Sequence, residues 1–319
     1  MKLMRKLSSQ LLLALGVIAL SVIVWQVIVS KQVIGDAEKI RQVQSIEQIQ
    51  NLLNNRELKT YHSIPCRPFS KIKLSGIHAQ ILKGNEYAIY VSDYCKRQIE
   101  VGINGDELFI HSLSGLAAGS FNTPVFIFMP EDPRLVYCIL SDYGWVSSYH
   151  YKIYGFRGED TLLSCEGAWW VKITTDMPFI HVNQKDNYLN LYTSGLDSTV
   201  RNKQVQMNIQ AENSRLKVED RISEHIDVNI QLQESIVEQL IIHPDTRLGT
   251  LSLKGSFPEK QDPYNVIQTR IIYPGLCDSL LIQLTNHSGN AGQLFLSKNL
   301  SGRFEKIDCS DNIAIARAE

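Results

Sequence analysis

The chain changes its hydrophobic period twice. It opens on a continuous apolar run, passes through a helical period, and then alternates every second residue to its end. Leu11 to Val29 read LLLALGVIALSVIVWQVIV, with Ser21 and Gln26 the polar members and no charge. A helix of roughly 20 residues spans a hydrocarbon core of about 30 Å. This run is apolar all round, unlike the striped helix of a soluble surface. Trp25 lies near one end, where an indole rests at headgroup level. A cleavable secretory signal also starts with basic residues, here Lys2, Arg5 and Lys6, but its apolar region is usually about 7–15 residues. The exit Val29-Ser30-Lys31-Gln32 has no Ala-x-Ala-like site, and the first cysteine is distant Cys66. The run therefore reads as an uncleaved anchor. Lys2, Arg5, Lys6 and the α-amino group slightly outweigh Lys31, Lys39 and Arg41, which Asp36 and Glu38 dilute, and this places the N-terminus inside and the body outside the cytoplasm.

From Gly35 to Asn55, Ala37, Ile40, Val43, Ile46, Ile49, Leu52 and Leu53 recur every three or four residues among Gln, Glu and Arg. That spacing predicts one amphipathic helix, a short stalk packing on the body. It is too short for the three or four heptads of a coiled coil.

Beyond Phe69 the period is two. Ile72 and Leu74 alternate with lysines. Tyr87–Val91 follows a turn at Lys83-Gly84-Asn85, and Ile99, Val101 and Ile103 lead into Asn104-Gly105-Asp106 and then Leu108–Ile110. Val125–Met129 lies between prolines. Leu189 and Leu191, Leu216 and Val218, Ile226 to Leu232, Leu251 and Leu253, and Leu280–Leu284 continue the pattern. Many short strands and no further long helix predict an all-β body: sandwich, barrel or solenoid. Asn-Gly-type turns are scarce after Asp106, and the strands recur at uneven intervals, which favours the rungs of a β-solenoid or β-helix-like fold. The expected organisation is a tip and transmembrane anchor over 1–30, a helical stalk over 31–65 and a β-rich extracytoplasmic domain over 66–319.

Composition narrows the function classes. With 32 basic and 33 acidic residues the formal charge is −1, so no nucleic-acid footprint is expected. The six cysteines, Cys66, Cys95, Cys138, Cys165, Cys277 and Cys309, never stand at Cys-x-x-Cys spacing, so no zinc or redox motif is expected. They read as buried single thiols ahead of disulfides.

The stretch FSKIKLSGIHAQILKGNEYAIYVSDYCKRQIEVGINGDELFIHS, Phe69 to Ser112, resembles the opening of the head GIN domain, a domain of unknown function labelled a candidate auto-transporter adhesin. The positions that carry the likeness are Phe69, Ile72, Leu74, Gly76, Ile81, Gly84, Ile89, Val91, Ile99, Val101, Gly105, Leu108 and Ile110. Phe126–Pro130 and Leu135–Gly144 are similar to that family's next rungs. The resemblance implies a β-helix-like solenoid in the envelope of Bacteroidota-type bacteria. It is a pattern of apolar positions and turns, and the C-terminal half departs from it: Trp145, Trp169, Trp170 and charged residues stand where the family has Gly, Ser and Asp.

No catalytic signature stands out. The eight histidines are never within four residues of one another, and no G-x-S-x-G elbow, P-loop or dinucleotide fingerprint is present. Neither a catalytic residue, a metal site nor a cofactor is expected. The candidate contact surface is aromatic: Trp145, Tyr149, Tyr151, Trp169 and Trp170, with Tyr154 nearby. On one exposed face such rings contact sugars or proteins; the plainer expectation is that most of them fill the interior. In a strand Tyr149 and Tyr151 share a face, and the adjacent tryptophans point oppositely, one inward and one outward. The sequence thus predicts a membrane-anchored, non-enzymatic envelope protein with a binding or structural solenoid, adhesin-like, whose partners are the membrane and an envelope protein or glycan. The alternative is a carbohydrate-active enzyme on a β-helix.

Overall fold

The computed structural model describes residues 2–113, 123–139, 149–167, 170–197, 202, 204–259, 267–288 and 291–318. Helix α1 is Lys2–Arg41, longer than the apolar run. Among the described residues it is the one helix long and apolar enough to cross a membrane. Its side chains from Leu15 to Ile28 are largely bare, including Trp25. The predicted single stalk helix is instead two pieces. Helix α1 ends at Arg41 and α2, Ile46–Asn54, restarts behind Ser45. Ser45 Oγ accepts from Gln48 N at 3.2 Å, and the Gln48 side chain reaches back to Gln44 N at 2.8 Å. This capping-box-like pair satisfies one amide in the first turn of α2 and one just before its cap, and so fixes a new helix start inside the periodic run.

Neither helix stands off as a free stalk. Asp36, near the end of α1 and 2% exposed, accepts from Lys59 N, Thr60 N and Thr60 Oγ1 at 3.0, 2.8 and 2.7 Å. From α2, Ile49 and Leu53 bury against Leu58, Tyr61, Leu82, Phe126, Phe128 and Tyr154. Residues assigned to the stalk by their sequence also include a strand, β1 (Tyr61–Ile64).

The body is a β-solenoid. Its strands follow in order as β2 (Lys71–Ser75), β3 (Ala79–Lys83), β4 (Ala88–Ser92), then a four-residue helix α3 (Asp93–Lys96), β5 (Ile99–Asn104), β6 (Glu107–Ser112), β7 (Val125–Met129), β8 (Leu135–Ile139) and β9 (Tyr149–Tyr154). The regular rungs continue as β10 (Leu162–Glu166) with β11 (Trp170–Thr175), β12 (Phe179–Lys185) with β13 (Tyr188–Thr193), β14 (Val205–Glu212) with β15 (Arg215–Asp220), and β16 (His225–Gln233) with β17 (Ile236–Ile241). Next come β18 (Arg247–Ser256) with β19 (Gln268–Ile272), β20 (Leu276–Thr285) with β21 (Gly292–Ser297), and β22 (Ser301–Cys309) with β23 (Ile313–Ala318).

Within this series the even strands stack in an 11-stranded sheet with β5, and the odd ones in a 12-stranded sheet with β4. Neighbours along both stacks are parallel from β6 and β7 onward. Parallel stacking of every second strand is what separates a solenoid from a sandwich or barrel of hairpins. The first rung in sequence, β2–β3, is second in space: β2 lies between β6 and β8, and β3 between β7 and β9. The end beyond β6–β7 is closed by antiparallel strands, β5 on β6, β4 on β7 and β1 on β4.

The alternation named from the sequence becomes columns of side chains. One interior column runs Leu108, Ile72, Val136, Leu163, Val182, Ile209, Ile230, Leu253, Ile282, all in register and all buried. Burying each such side chain contributes on the order of 1.5–3 kcal/mol. Three regular rungs turn from one sheet to the other in two residues: Asp186-Asn187, Asn213-Ser214 and Glu234-Ser235. The first residue of each pair has positive φ, at 53°, 46° and 49°. These left-handed residues also stack, with Asp186 N donating to Glu212 O and Asn213 N to Gln233 O at 3.1 and 2.9 Å. The six cysteines are free thiols, four of them buried.

Candidate functional site

The two sheets present different outer faces. On the even-strand sheet, His181, Asn208 and Asn229 form one outward column and Asn183, Gln210 and Gln231 another, a flat amide surface. The odd-strand sheet has one end covered by α2. Beyond that cover its middle rungs carry aromatic and cationic side chains together, and this strip is the candidate site.

Strand register builds the strip. Trp170, Tyr188 and Arg215 occupy one column across β11, β13 and β15, and Lys172, Asn190 and Lys217 the next. Parallel strands lie about 4.8 Å apart. The rings of Trp170 and Tyr188 stack at 4.0 Å between centroids and 21° between planes. Register between β15 and β17 then slips: Leu216 faces Val237, whereas Lys217 faces Gln239. Glu238 is the extra residue of that bulge, and a bulge re-aims a side chain. Its carboxylate accepts from the Tyr188 hydroxyl and, at 2.8 Å, from Arg215 Nη1. Burial and the bond to Glu238 push the Tyr188 phenol well above its ordinary value.

At the next column Tyr192 is flanked by two cations. Lys172 Nζ lies 4.4 Å and Arg221 Cζ 5.4 Å from its ring centroid, within cation–π reach. Arg221 follows directly on Asp220, a carboxylate 1% exposed. Asp220 accepts from Thr193 Oγ1 and Ser223 Oγ at 2.5 Å each, and from Thr246 Oγ1 at 3.2 Å. Arg221 N donates to Thr193 Oγ1 at 3.1 Å. This buried polar corner sets the backbone from which Arg221 reaches Tyr192 and Glu219, at 2.8 Å from its Nε.

Towards β9 the strip becomes a cluster of basic groups. His150 and Lys152 point outward from β9, opposite Lys172 and Thr174 of β11. His150 N donates to His78 Nδ1 at 3.2 Å. Burial lowers the pKa of both imidazoles to about 4, helped at His150 by His78, Lys172 and Lys152. Lys152 is lowered by burial and then by Lys172; Lys172 is lowered by burial and by Arg221, against the opposing pull of Glu219.

Of the aromatic residues singled out from the sequence, the structure divides those it describes. Tyr149 and Tyr151 are interior residues, 5% and 0% exposed, so they are corrected from contact surface to core. The cause is the period itself: they take the inward positions of β9, while His150 and Lys152 take the outward ones. Trp170 faces outward and is 43% exposed. Trp145 and Trp169 lie outside the described residues. Tyr188, Tyr192, Lys172, Arg215, Arg221 and Glu238 were missed. The first two stood in view as the outward members of Tyr188-Leu189-Asn190-Leu191-Tyr192, but their neighbours belong to other rungs. Among the described residues no three of His, Cys, Asp and Glu group to hold a metal ion.

No family model matches the chain, and no curated protein matches it. Among solved structures, a crystal structure of a "putative adhesin" from Bacteroides fragilis NCTC 9343 aligns over 81% of this chain and 96% of its own, at 11% identity and a TM-score of 0.36. The solenoid assignment rests on strand order and register alone.

Proposed function

We propose that the protein is a membrane-tethered, non-enzymatic binding module of the cell envelope, adhesin-like in that it holds a protein or glycan on the outer face of its odd-strand sheet. The observation that carries this reading is the strip itself. Trp170, Tyr188 and Arg215 are fixed in register on three adjacent strands of a rigid sheet, and Glu238 on a bulge ties two of them in place. Preformed aromatic and Arg positions of this kind are where binding energy concentrates. The reading also draws on α1, whose apolar side chains from Leu15 onward find no cover in the protein and suit a bilayer. Asp36 and α2 then hold the solenoid at a fixed attitude to that helix. The sequence likeness to the head GIN domain agrees with an envelope role.

The test is binding of the full chain, reconstituted in nanodiscs, to fractionated envelope polysaccharide and surface protein. A retained fraction that Trp170→Ala releases, with the melting temperature unchanged, is the expected result. Failure to retain any fraction, or retention indifferent to Trp170 and Tyr188, contradicts the reading.

A further inference from the structure

We propose that the strip around Lys172 is a site for an acidic polysaccharide, a chain whose sugar rings carry carboxylates. The proposal rests on the envelope-binding reading above and names its ligand class.

The column Lys172, Asn190, Lys217 sets a cation, an amide and a second cation on consecutive strands. The two ammonium groups belong to strands roughly 10 Å apart, twice the strand spacing. An extended chain laid across the strands meets them in turn, with a neutral hydrogen-bonding group between. On the outward positions of the odd strands β9, β11, β13, β15 and β17 there are four cations, Lys152, Lys172, Arg215 and Lys217, against Glu219 and Glu238, with Arg221 just past β15. This local excess stands in a chain whose total charge is −1. Lys152 and Lys172 are half-buried on the paired strands β9 and β11; Lys172 lowers the pKa of Lys152, and Arg221 lowers that of Lys172. Holding like charges together in part-dry surroundings costs free energy, and a bound carboxylate recovers it.

Charge complementarity alone also suits a nucleic acid, so the remaining groups decide. Single-stranded nucleic acid is held by stacking bases on open aromatic faces. Here Tyr188 is stacked by Trp170, and Tyr192 carries Lys172 and Arg221 against its ring. Glu219, Glu238 and Asn190 accept hydrogen bonds, which sugar hydroxyls supply and a phosphate backbone does not. Cations mixed with acceptors fit a chain bearing both carboxylates and hydroxyls.

The experiment compares three probes on the full chain in phosphatidylcholine nanodiscs: polygalacturonate, its fully methyl-esterified form, and oligothymidylate. The expected result is that polygalacturonate binds about tenfold or more tighter than the neutral ester, with an advantage that shrinks as salt screens it. Lys172→Gln with Lys217→Gln should remove most of that advantage, so that acid and ester bind alike, while Lys172→Arg with Lys217→Arg keeps it. Equal binding of acid and ester, tighter binding of oligothymidylate, or a preference insensitive to Lys172 and Lys217 overturns the proposal. If acid and ester bind equally and Trp170→Ala still weakens both, the acidic class fails and the binding module stands. If no probe and no envelope fraction binds, both fail.

Discussion

The Tyr188 hydroxyl donates to Glu238, a residue fifty positions later that reaches it only because β17 bulges beside β15. Tyr188→Phe removes one donor and leaves Arg215 on the carboxylate, so a loss of about 0.5–1.5 kcal/mol is expected. Glu238→Ala strands both Arg215 and Tyr188 and should cost more. A double-mutant cycle by urea denaturation should give a coupling of roughly 1 kcal/mol; additive losses would show that the bond is idle. The phenol is raised in the folded state, so the unfolded chain releases its proton first. Stability should therefore fall as pH climbs past about 10, and Tyr188→Phe should flatten that fall.

His78 and His150 predict an acid limb. Their folded pKa is about 4, and imidazole in an unfolded chain titrates near 6.5. Between those values the unfolded state binds more protons, so stability rises with pH across that window and is lost on acidification through it. His78 is 7% exposed and its Nδ1 accepts from His150 N, so protonation there also breaks a bond. Its share is on the order of 1–3 kcal/mol. The groups facing the pair are Lys152, Lys172 and Tyr149, none of which ionises in that window. Thermal melts from pH 4 to 7 should show a slope that His78→Gln reduces; a flat profile would contradict the neutral pair.

The corner turns give a paired prediction of opposite sign. Glu234 is held at φ 49°, a conformation that costs an L-residue roughly 1–2 kcal/mol. Glu234→Gly should therefore stabilise by about 0.5–1 kcal/mol after the entropy of the freer chain. At Gly255, φ 132°, a Cβ would lie 1.8 Å from the backbone oxygen of Leu232. Gly255→Ala should cost several kcal/mol or prevent folding, because the contact is backbone and cannot swing aside. Chemical denaturation of both variants checks the pair.

The junction of helix and body should be stiff. Asp36→Ala leaves the buried Thr60 amide and hydroxyl and the part-buried Lys59 amide without their acceptor, at about 1–3 kcal/mol. Ile49→Ala opens a cavity under α2 costing about 2–5 kcal/mol. Hydrogen exchange at residues 46–64 should accelerate in both variants while β10 to β17 stay protected. Uniform acceleration would mean that the junction and the solenoid open as one.

Much of the fold was legible because a solenoid writes itself locally. Each rung repeats inward and outward positions, so Leu189, Leu191, Ile226 and Val228 announce their strands by period alone. Three things were not. The split of the stalk needed Ser45 and Gln48 read as a helix start within a run that otherwise keeps its period. The spatial order of the first rungs, with β2–β3 inside β6–β7, leaves no trace in alternation. The site depends on register: Trp170, Tyr188, Arg215 and Glu238 meet because of unequal corner lengths and one bulge. Of the aromatic positions that proximity along the sequence groups, Trp145, Tyr149, Tyr151, Trp169 and Trp170, the described Tyr149 and Tyr151 are interior and Trp170 finds its partner Tyr188 on another rung.

We propose a solenoid tethered outside the cytoplasm by α1. Alkaline phosphatase joined after Glu319 tests it, assayed in carbonate-washed membranes and in the soluble fraction of the same cells. The account predicts enzyme activity retained in the washed membranes. Activity released to the soluble fraction with the chain cleaved behind the apolar run, or membranes carrying an inactive fusion, would contradict it.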